Sequence, residues 1–188
     1  MPDDSDETSP APGALTRTIV LVGLMGAGKT VIGRKLAQAI GVSFRDADQE
    51  IEQAAGLSVS EIFAKHGEPH FRDGERRVIR RLLDEPPHVL ATGGGAFMNA
   101  DTRALIATRG IAVWLRAELP VLMKRVLKRT TRPLLANGDP EATMKRLMAD
   151  RYPVYAEAPI TIDTCEGPQE DVVAAVIAAL KQHGVLTP

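Results

Sequence analysis

The pattern of apolar residues first becomes regular at Thr18. Thr18–Val22 is an uninterrupted apolar run rich in β-branched residues, which predicts a buried strand that ends at Gly23. From Lys29 to Ile40 the apolar residues recur at helical spacing, and Gly41 follows as a stop signal. The pattern therefore predicts a strand, a glycine-rich turn and a helix in succession.

Short apolar runs and amphipathic segments continue to alternate along the rest of the chain. Further strands are predicted at Val42–Phe44, His88–Ala91, Ile111–Leu115 and Pro159–Ile162. Helices are predicted at Asp48–Ala55, Pro69–Leu83, Pro120–Lys128, from Asp139-Pro140 onward, and at Gln169–Gln182. Strands separated by helices favour an α/β fold of three layers, α/β/α, around a five-stranded parallel sheet. In such folds the functional groups gather at the carboxyl ends of the strands.

Two local signals shape the region between the second and third predicted strands. Ser58 and Glu61 have the spacing of a capping box, which predicts a helix start before Ile62. Pro69 is tolerated in the first turn of a helix, so we expect the helix that runs to Leu83 to open there. Gly74 lies inside this predicted helix, at a cost of about 1 kcal/mol.

Composition is that of an ordinary globular protein. Of the 188 residues, 44% are hydrophobic and 25% are charged, and the formal net charge is −1. Since the chain has no basic excess, nucleic acid is not an expected partner. We expect the acidic residues 1–14 to be a disordered tail and residues 15–188 to form a single domain.

The sequence favours neither a membrane nor a secreted location. No apolar run approaches the roughly 18 residues that a membrane helix needs. The acidic start lacks the apolar core of a signal peptide. Cys165 is the single cysteine, which fits a reducing compartment. We therefore expect a cytoplasmic protein, and the modest apolar content permits a monomer.

The strongest chemical signal is the glycine-rich turn Gly23–Thr30, which fits the P-loop pattern G-x-x-x-x-G-K-[ST] between a strand and a helix. The backbone amides around Gly26, Ala27 and Gly28 would face a polyphosphate, Lys29 would reach its terminal phosphates, and the Thr30 hydroxyl would bind Mg²⁺. The alternative is a glycine-rich turn that binds nothing. The motif predicts nucleotide binding but no particular reaction, because switches, ATPases and kinases all use it.

Carboxylates and glycines follow two other predicted strands. Asp46 and Asp48 lie two positions apart, so in an extended chain both would face the site at the strand's carboxyl end. One could hold Mg²⁺ through water, and the other could orient or deprotonate an acceptor hydroxyl. Gly93–Gly95 would let a ligand approach the backbone closely. The alternatives are an acidic surface turn and a flexible glycine turn.

Three arginines are candidates for binding an anion, since arginine forms paired hydrogen bonds with carboxylate or phosphate. Arg72 lies early in a predicted helix, and Arg151 ends a later one. Arg132 precedes Pro133 in a polar stretch that we interpret as a mobile lid, at about residues 129–140. Each of these arginines, taken alone, could also be a solvated surface charge.

The motifs in series resemble those of shikimate kinases from Thr18 to Thr164. They are a P-loop ending G-A-G-K-T, then F-R-D-A-D, F-R with a Glu three residues after the Arg, G-G-G-A, R-P-L-L and R-Y-P-x-Y. The series is far more specific than any one motif. The resemblance implies a nucleoside monophosphate kinase-like fold with a lid. It also implies ATP-dependent phosphorylation of the shikimate 3-hydroxyl, a step in aromatic amino acid biosynthesis.

On the acceptor side, the resemblance assigns roles residue by residue. Asp48 matches the residue that contacts the acceptor hydroxyl and serves as base. Arg72 and Arg151 match the arginines that hold the shikimate carboxylate. Gly94 matches a glycine whose backbone meets the substrate, and Glu75 matches a supporting carboxylate. The resemblance places three apolar residues on the pocket wall, namely Val59, Phe63 and Phe71.

On the nucleotide side, the resemblance adds to what the P-loop pattern predicts for Lys29 and Thr30. Asp46 matches a water-mediated Mg²⁺ contact. Arg125 matches an arginine that stacks near adenine, and Arg132 matches a lid arginine that stabilises phosphate charge. ATP and Mg²⁺ are therefore the expected cosubstrate and cofactor.

Two other functions compete with this interpretation. A gluconate kinase would share the P-loop and the lid, but should lack the aspartate pair combined with Arg72 and the triple glycine. A nucleotide-dependent switch would need a guanine-reading motif or a water-positioning glutamine. The sequence contains no N-K-x-D motif.

Overall fold

The computed structural model describes residues 13–129 and 138–188. The predicted tail lies almost entirely outside this range, as do Arg132 and most of the predicted lid. The division into a tail and one domain therefore stays a prediction. Among the described helices, none combines the length and apolar character needed to cross a bilayer.

Five parallel strands form one sheet, in the order β2-β3-β1-β4-β5. They are β1 Thr18–Val22, β2 Phe44–Asp46, β3 Val89–Ala91, β4 Gly110–Arg116 and β5 Ile160–Asp163. All five residues of β1 are buried although successive side chains point to opposite faces, so both faces of the sheet are covered. The predicted five-stranded parallel sheet is confirmed.

The second strand begins two residues later than the sequence analysis predicted. Phe44, Arg45 and Asp46 pair with Val89, Leu90 and Ala91 of β3. The apolar run at Val42 misled the prediction, since the pairing extends into the polar residues beyond it. As a result, Asp46 is itself the last residue of β2.

Seven α-helices and a short 3₁₀ turn, Ala96–Met98, are found among the described residues. The helices are α1 Lys29–Ile40, α2 Ala47–Ala55, α3 Val59–Leu83, α4 Ala100–Arg109, α5 Leu119–Leu127, α6 Pro140–Tyr155 and α7 Gln169–Gln182. Helix α4 is not among the helices predicted from the sequence. Only Thr102 and Ile106 of this helix are buried, so its apolar periodicity is weak, and Asn99 caps it by accepting a hydrogen bond from the Thr102 amide.

Helix α3 begins earlier than Pro69, where the sequence analysis had placed the start. It runs from Val59 with a kink at Gly67, whose φ is 80° and ψ is 171°. The predicted capping box is present, because Glu61 N donates to Ser58 Oγ at 3.2 Å and Ser58 N donates to Glu61 Oε2 at 2.8 Å. The two predicted start signals are thus the starts of two segments of one bent helix.

Candidate active site

The Gly23–Thr30 turn, here called the phosphate loop, connects β1 to α1. Gly26 and Gly28 have φ of 83° and 96°, a left-handed conformation that residues with a Cβ rarely adopt. Lys29 Nζ donates to Gly23 O at 2.7 Å and to Leu24 O at 3.0 Å. The loop therefore curls around its own lysine at the N-terminus of α1, a geometry that suits a phosphate.

Arg125 joins the phosphate loop to the segment after β5. One guanidinium nitrogen donates to Gly26 O at 3.1 Å and Ala27 O at 3.3 Å, and the other donates to Cys165 O at 3.0 Å. These carbonyls fix the side chain at one end of the cavity described below. The sequence analysis expected Arg125 at the adenine end of the nucleotide.

Asp46 connects β2, α2 and the phosphate loop. Its Oδ2 accepts a hydrogen bond from Thr30 Oγ1 at 3.0 Å, and its Oδ1 accepts from the amides of Asp48 and Gln49 at 3.0 and 3.3 Å. Asp46 is therefore the N-cap of α2. The Thr30 hydroxyl and the Asp46 carboxylate are hard oxygen donors of the kind Mg²⁺ prefers. Among the described residues, no cluster of three or more acidic, His or Cys side chains forms a metal site.

Asp48 lines the site from a helix, whereas the prediction placed it in extended chain at the end of a strand. It lies in the first turn of α2, so the extended-chain argument for Asp46 and Asp48 is wrong, although both line the same cavity. Burial raises the pKa of the Asp48 carboxyl and Asp46 raises it further, while Lys29 acts in the opposite direction. Asp48 is thus a largely desolvated carboxyl with a pKa above its ordinary value, a property suited to accepting a proton.

Arg72 and Glu75 form an ion pair on the inner side of α3. Arg72 Nη1 lies 2.8 Å from Glu75 Oε2, and Glu68 lies 3.4 Å from the same guanidinium. Glu75 is only 2% exposed, and its Oε1 has no hydrogen-bond partner among the described residues. Burial raises the pKa of Glu75 despite the opposing charge of Arg72. Glu75 therefore fixes Arg72 with one oxygen, while its other oxygen lies buried beside Gly93.

The Gly93–Gly95 turn, which follows β3, makes room for charged side chains. A Cβ at Gly93 would lie 3.1 Å from Asp48 Oδ1, and one at Gly94 would lie 2.9 Å from Arg151 Nη1. A Cβ at Gly95 would lie 2.6 Å from Arg72 Cζ. The sequence analysis attributed the glycines to a ligand's approach. The structure adds that these three side chains pack directly against the turn.

Tyr155 is the last residue of the R-Y-P-x-Y motif, and no role is predicted for it from the sequence. Tyr155 is fully buried, and its hydroxyl donates to Gly94 O. Its position four residues after Arg151 on α6 puts both side chains on one helix face, and that spacing was the available signal.

One cavity of about 860 Å³ connects these groups. Its lining includes the phosphate loop, Asp46, Asp48, Arg72, Glu75, Gly93–Gly95, Arg125 and Arg151, and the apolar wall of Val59, Phe63 and Phe71. The cavity therefore joins an anion-binding loop at one end to two arginines and a buried carboxylate at the other. Such a site could hold a polyphosphate beside a small hydroxylated acid.

Comparison with known proteins identifies the family. The family model described as shikimate kinase matches residues 25–181. The chain belongs to the shikimate kinase family. A shikimate kinase from Caulobacter vibrioides is 55% identical over 178 residues, which are 95% of this chain and 88% of that protein. A shikimate kinase from Brucella canis is 54% identical over 168 residues, or 89% of this chain and 84% of that protein.

Solved structures of shikimate kinases share the fold. A shikimate kinase from Acinetobacter baumannii in complex with shikimate has a TM-score of 0.85 and 39% identity, covering 89% of this chain and 94% of that one. A gluconokinase from Sinorhizobium meliloti has a TM-score of 0.61 at 18% identity, covering 90% of this chain and 94% of that one, which shows a common fold alone. The predicted family and the predicted P-loop kinase fold are confirmed.

Proposed function

We propose that this chain transfers the γ-phosphoryl group of ATP to the 3-hydroxyl of shikimate, giving shikimate 3-phosphate and ADP. The observation that carries the proposal is the single cavity in which the phosphate loop meets Asp48, Arg72 and Arg151. Membership of the shikimate kinase family supports the same conclusion.

ATP would bind with its phosphates in the Gly23–Thr30 loop. The backbone amides of Gly26–Thr30 and the positive end of α1 would neutralise the phosphate charge, and Lys29 would reach the β- and γ-phosphates. To do so, Lys29 would exchange its hydrogen bonds with the loop carbonyls for phosphate oxygens. The nucleoside would extend toward Arg125, which lines the same cavity.

Mg²⁺ fits the oxygen donors beside the phosphate loop. Thr30 would bind the ion directly and Asp46 would hold it through water, a set that leaves room for the waters and phosphate oxygens Mg²⁺ retains. The ion would supply charge neutralisation for the phosphates of ATP. The Thr30–Asp46 hydrogen bond holds these two oxygen ligands next to each other on the phosphate-loop side of the cavity.

The acceptor would be held by its carboxylate. Arg72 and Arg151 pack against the consecutive glycines Gly95 and Gly94, so their guanidinium groups are neighbours, and two guanidinium groups suit one carboxylate. Glu75 would keep Arg72 in place. Asp48 would then accept a hydrogen bond from the 3-hydroxyl.

In the transfer step, the oxygen of the 3-hydroxyl attacks the γ-phosphorus and the bond to the bridging oxygen of ADP breaks. Asp48 takes the proton of the hydroxyl. Positioning and charge neutralisation do most of the work, because the transition state is loose and needs little covalent assistance. We keep the prediction that Arg132, outside the described residues, adds charge from the lid.

A coupled assay of ADP release tests the proposal. ATP with shikimate should give rapid ADP formation, whereas ATP alone or ATP with gluconate should give little. Lys29→Met is the control for contaminating kinases, since it removes a phosphate-binding charge. Faster turnover with gluconate than with shikimate would replace the proposed substrate, and equal hydrolysis with or without any acceptor would favour a nucleotide switch.

Assembly and location remain predictions. We keep the expectation of a monomer from the modest apolar content of the sequence. The formal charge of −1 offers no electrostatic attraction for nucleic acid. A cytoplasmic location is expected from the sequence.

A further inference from the structure

Tyr155 and Arg151 meet at one residue of the glycine turn, Gly94. The Tyr155 hydroxyl donates to the carbonyl of Gly94, and a Cβ on Gly94 would lie 3.7 Å from that hydroxyl and 2.9 Å from Arg151 Nη1. Because a hydroxyl has one proton and two lone pairs, it can accept from a guanidinium while it donates to a carbonyl. The two side chains of α6 are therefore neighbours against the Gly93–Gly95 turn.

We propose that Tyr155 is a positioning residue, whose hydroxyl holds the Arg151 guanidinium against the Gly93–Gly95 turn so that it faces the carboxylate of the acid substrate. The inference rests on the proposed function. Tyr155 itself is fully buried and would not touch the substrate. It would act through Arg151.

Arg72 and Arg151 differ in the charge of the side chains next to them. Arg72 is held by the carboxylates of Glu75 and Glu68. No ion pair holds Arg151 within residues 13–129 and 138–188, and the side chain beside it at Gly94 is a neutral phenol. A neutral neighbour can orient a guanidinium without cancelling its charge. Arg151 thus keeps more of its positive charge for an incoming carboxylate than Arg72 does, and a fixed orientation before binding lowers the entropy lost on binding.

The ring of Tyr155 has little freedom to move. Its centroid lies 5.8 Å from Trp114, 6.2 Å from Tyr152 and 6.5 Å from Phe97. Burial raises the pKa of Tyr155 to about 12, against the opposing charge of Arg151, so the hydroxyl keeps its proton at neutral pH. Both features favour a fixed donor to Gly94 O and a fixed acceptor for Arg151.

Tyr155→Phe, with Tyr152→Phe as the matched control, tests the inference. Tyr152 lies on the same helix, contacts the same Trp114, and donates its hydroxyl to a backbone carbonyl, that of Ala117, at 2.5 Å. Tyr155→Phe should raise the shikimate Kd and KM about tenfold, because a buried hydrogen-bonded group is lost, and leave the KM for ATP unchanged. Tyr152→Phe should leave the shikimate constants unchanged. Equal effects of the two variants would overturn the inference.

A double-mutant cycle separates positioning from a general structural role. If Tyr155 acts through Arg151, the phenylalanine variant should cost no further shikimate affinity in an Arg151→Ala background. Full additivity of the two losses would show that Tyr155 acts independently of Arg151. Titration calorimetry with shikimate gives the four dissociation constants without relying on turnover.

A second measurement leaves Tyr155 in place, so its result does not depend on whether Tyr155→Phe folds. The chain has only two tyrosines, so in Tyr152→Phe protein grown with 3-fluorotyrosine the single ¹⁹F resonance belongs to Tyr155. Saturating shikimate should shift this resonance, and an unchanged resonance would overturn the inference.

If the wild-type protein does not bind shikimate, the proposed function fails and this inference with it. If it binds shikimate but Tyr155→Phe loses no affinity, this inference alone fails.

Discussion

At the scale of single residues, acidic and basic groups near the proposed acid-binding end of the cavity shift the pKa values of two carboxyls in opposite directions. Burial raises the pKa values of both Asp48 and Glu75, and Asp48 raises that of Glu75 further; Lys29 and Arg72 lower the pKa of Asp48, and Arg72 and Arg151 lower that of Glu75. Burying like charges is costly unless cations lie close. The acceptor end is therefore a balanced cluster, in which removing one charge changes the protonation of the others.

Asp48→Asn should lower kcat by about 10²- to 10⁴-fold, because the amide keeps the shape of the side chain but cannot accept the proton. The KM for shikimate should change much less. Steady-state kinetics with each substrate varied in turn measures both constants. A change confined to KM would show that Asp48 binds the acceptor but does not take its proton.

Gly95→Ala should raise the KM for shikimate about tenfold or more with little loss of fold, because the new methyl would displace the Arg72 guanidinium from the carboxylate. Gly95 has φ of −92° and ψ of −11°, so alanine is not strained at this backbone position. A melting temperature close to wild type together with a raised shikimate KM would support this reason. An unchanged KM would mean that Arg72 can bind from a shifted position.

At the scale of elements, α3 shows why local signals can be correct while the boundaries drawn from them are wrong. The capping box at Ser58 and the proline at position 69 both mark helix starts, as the sequence indicates. The sequence alone could not reveal that the two segments continue through a kink, since that depends on Gly67 adopting a φ of 80°. The kink lies between Phe63, on the cavity wall, and Arg72, which we propose to hold the acid.

Two glycines of α3 should respond oppositely to alanine. Gly67→Ala should destabilise the fold by about 1–3 kcal/mol, because its conformation is one that only glycine adopts readily. Gly74→Ala should stabilise the fold by about 0.5–1 kcal/mol, because a Cβ there meets nothing within 4 Å and the backbone is helical. Urea denaturation of both variants measures the two changes. A stabilising effect of Gly67→Ala would contradict the kink, and a destabilising effect of Gly74→Ala would contradict the open helical position of Gly74.

The capping box of α3 should give a pH-dependent contribution to stability. Hydrogen bonds with Ser58 lower the pKa of Glu61 below its ordinary value of 4.5. A depressed carboxyl pKa stabilises the fold above pH 4.5, and this contribution is lost as the pH falls through the folded-state pKa. Glu61→Gln keeps an acceptor but has no charge. The stability difference between wild type and Glu61→Gln should therefore shrink on acidification, and a constant difference would refute the assignment.

At the scale of the whole molecule, the site exists because the topology brings distant segments to one edge of the sheet. The phosphate loop follows β1, Asp46 ends β2, and the glycine turn follows β3, which are adjacent strands. Helices α3 and α6 then supply Arg72 and Arg151 from far along the chain. The groups that we propose for phosphate binding and for acid binding therefore come from different segments of the chain and meet only through the fold.

Ligand-induced stabilisation should distinguish the two ends of the cavity. Shikimate at 100 times its Kd should stabilise the wild type by about 2.7 kcal/mol, as should a non-hydrolysable ATP analogue at the same ratio. At the same ligand concentrations, Arg72→Ala should lose most of the shikimate effect and keep that of the nucleotide, and Lys29→Met should do the reverse. Thermal shift measurements provide the comparison. If both variants lose both effects equally, the cavity does not divide into two binding ends.

The sequence by itself determined the five-stranded parallel sheet, the phosphate loop and the family, because these depend on apolar periodicity and on residues adjacent in the chain. The tertiary structure decided what depends on distant packing. It placed Arg72, Arg151 and Asp48 against Gly93–Gly95, and joined Tyr155 to Gly94. The physical reason is that such contacts bring together segments tens of residues apart, which no local pattern encodes.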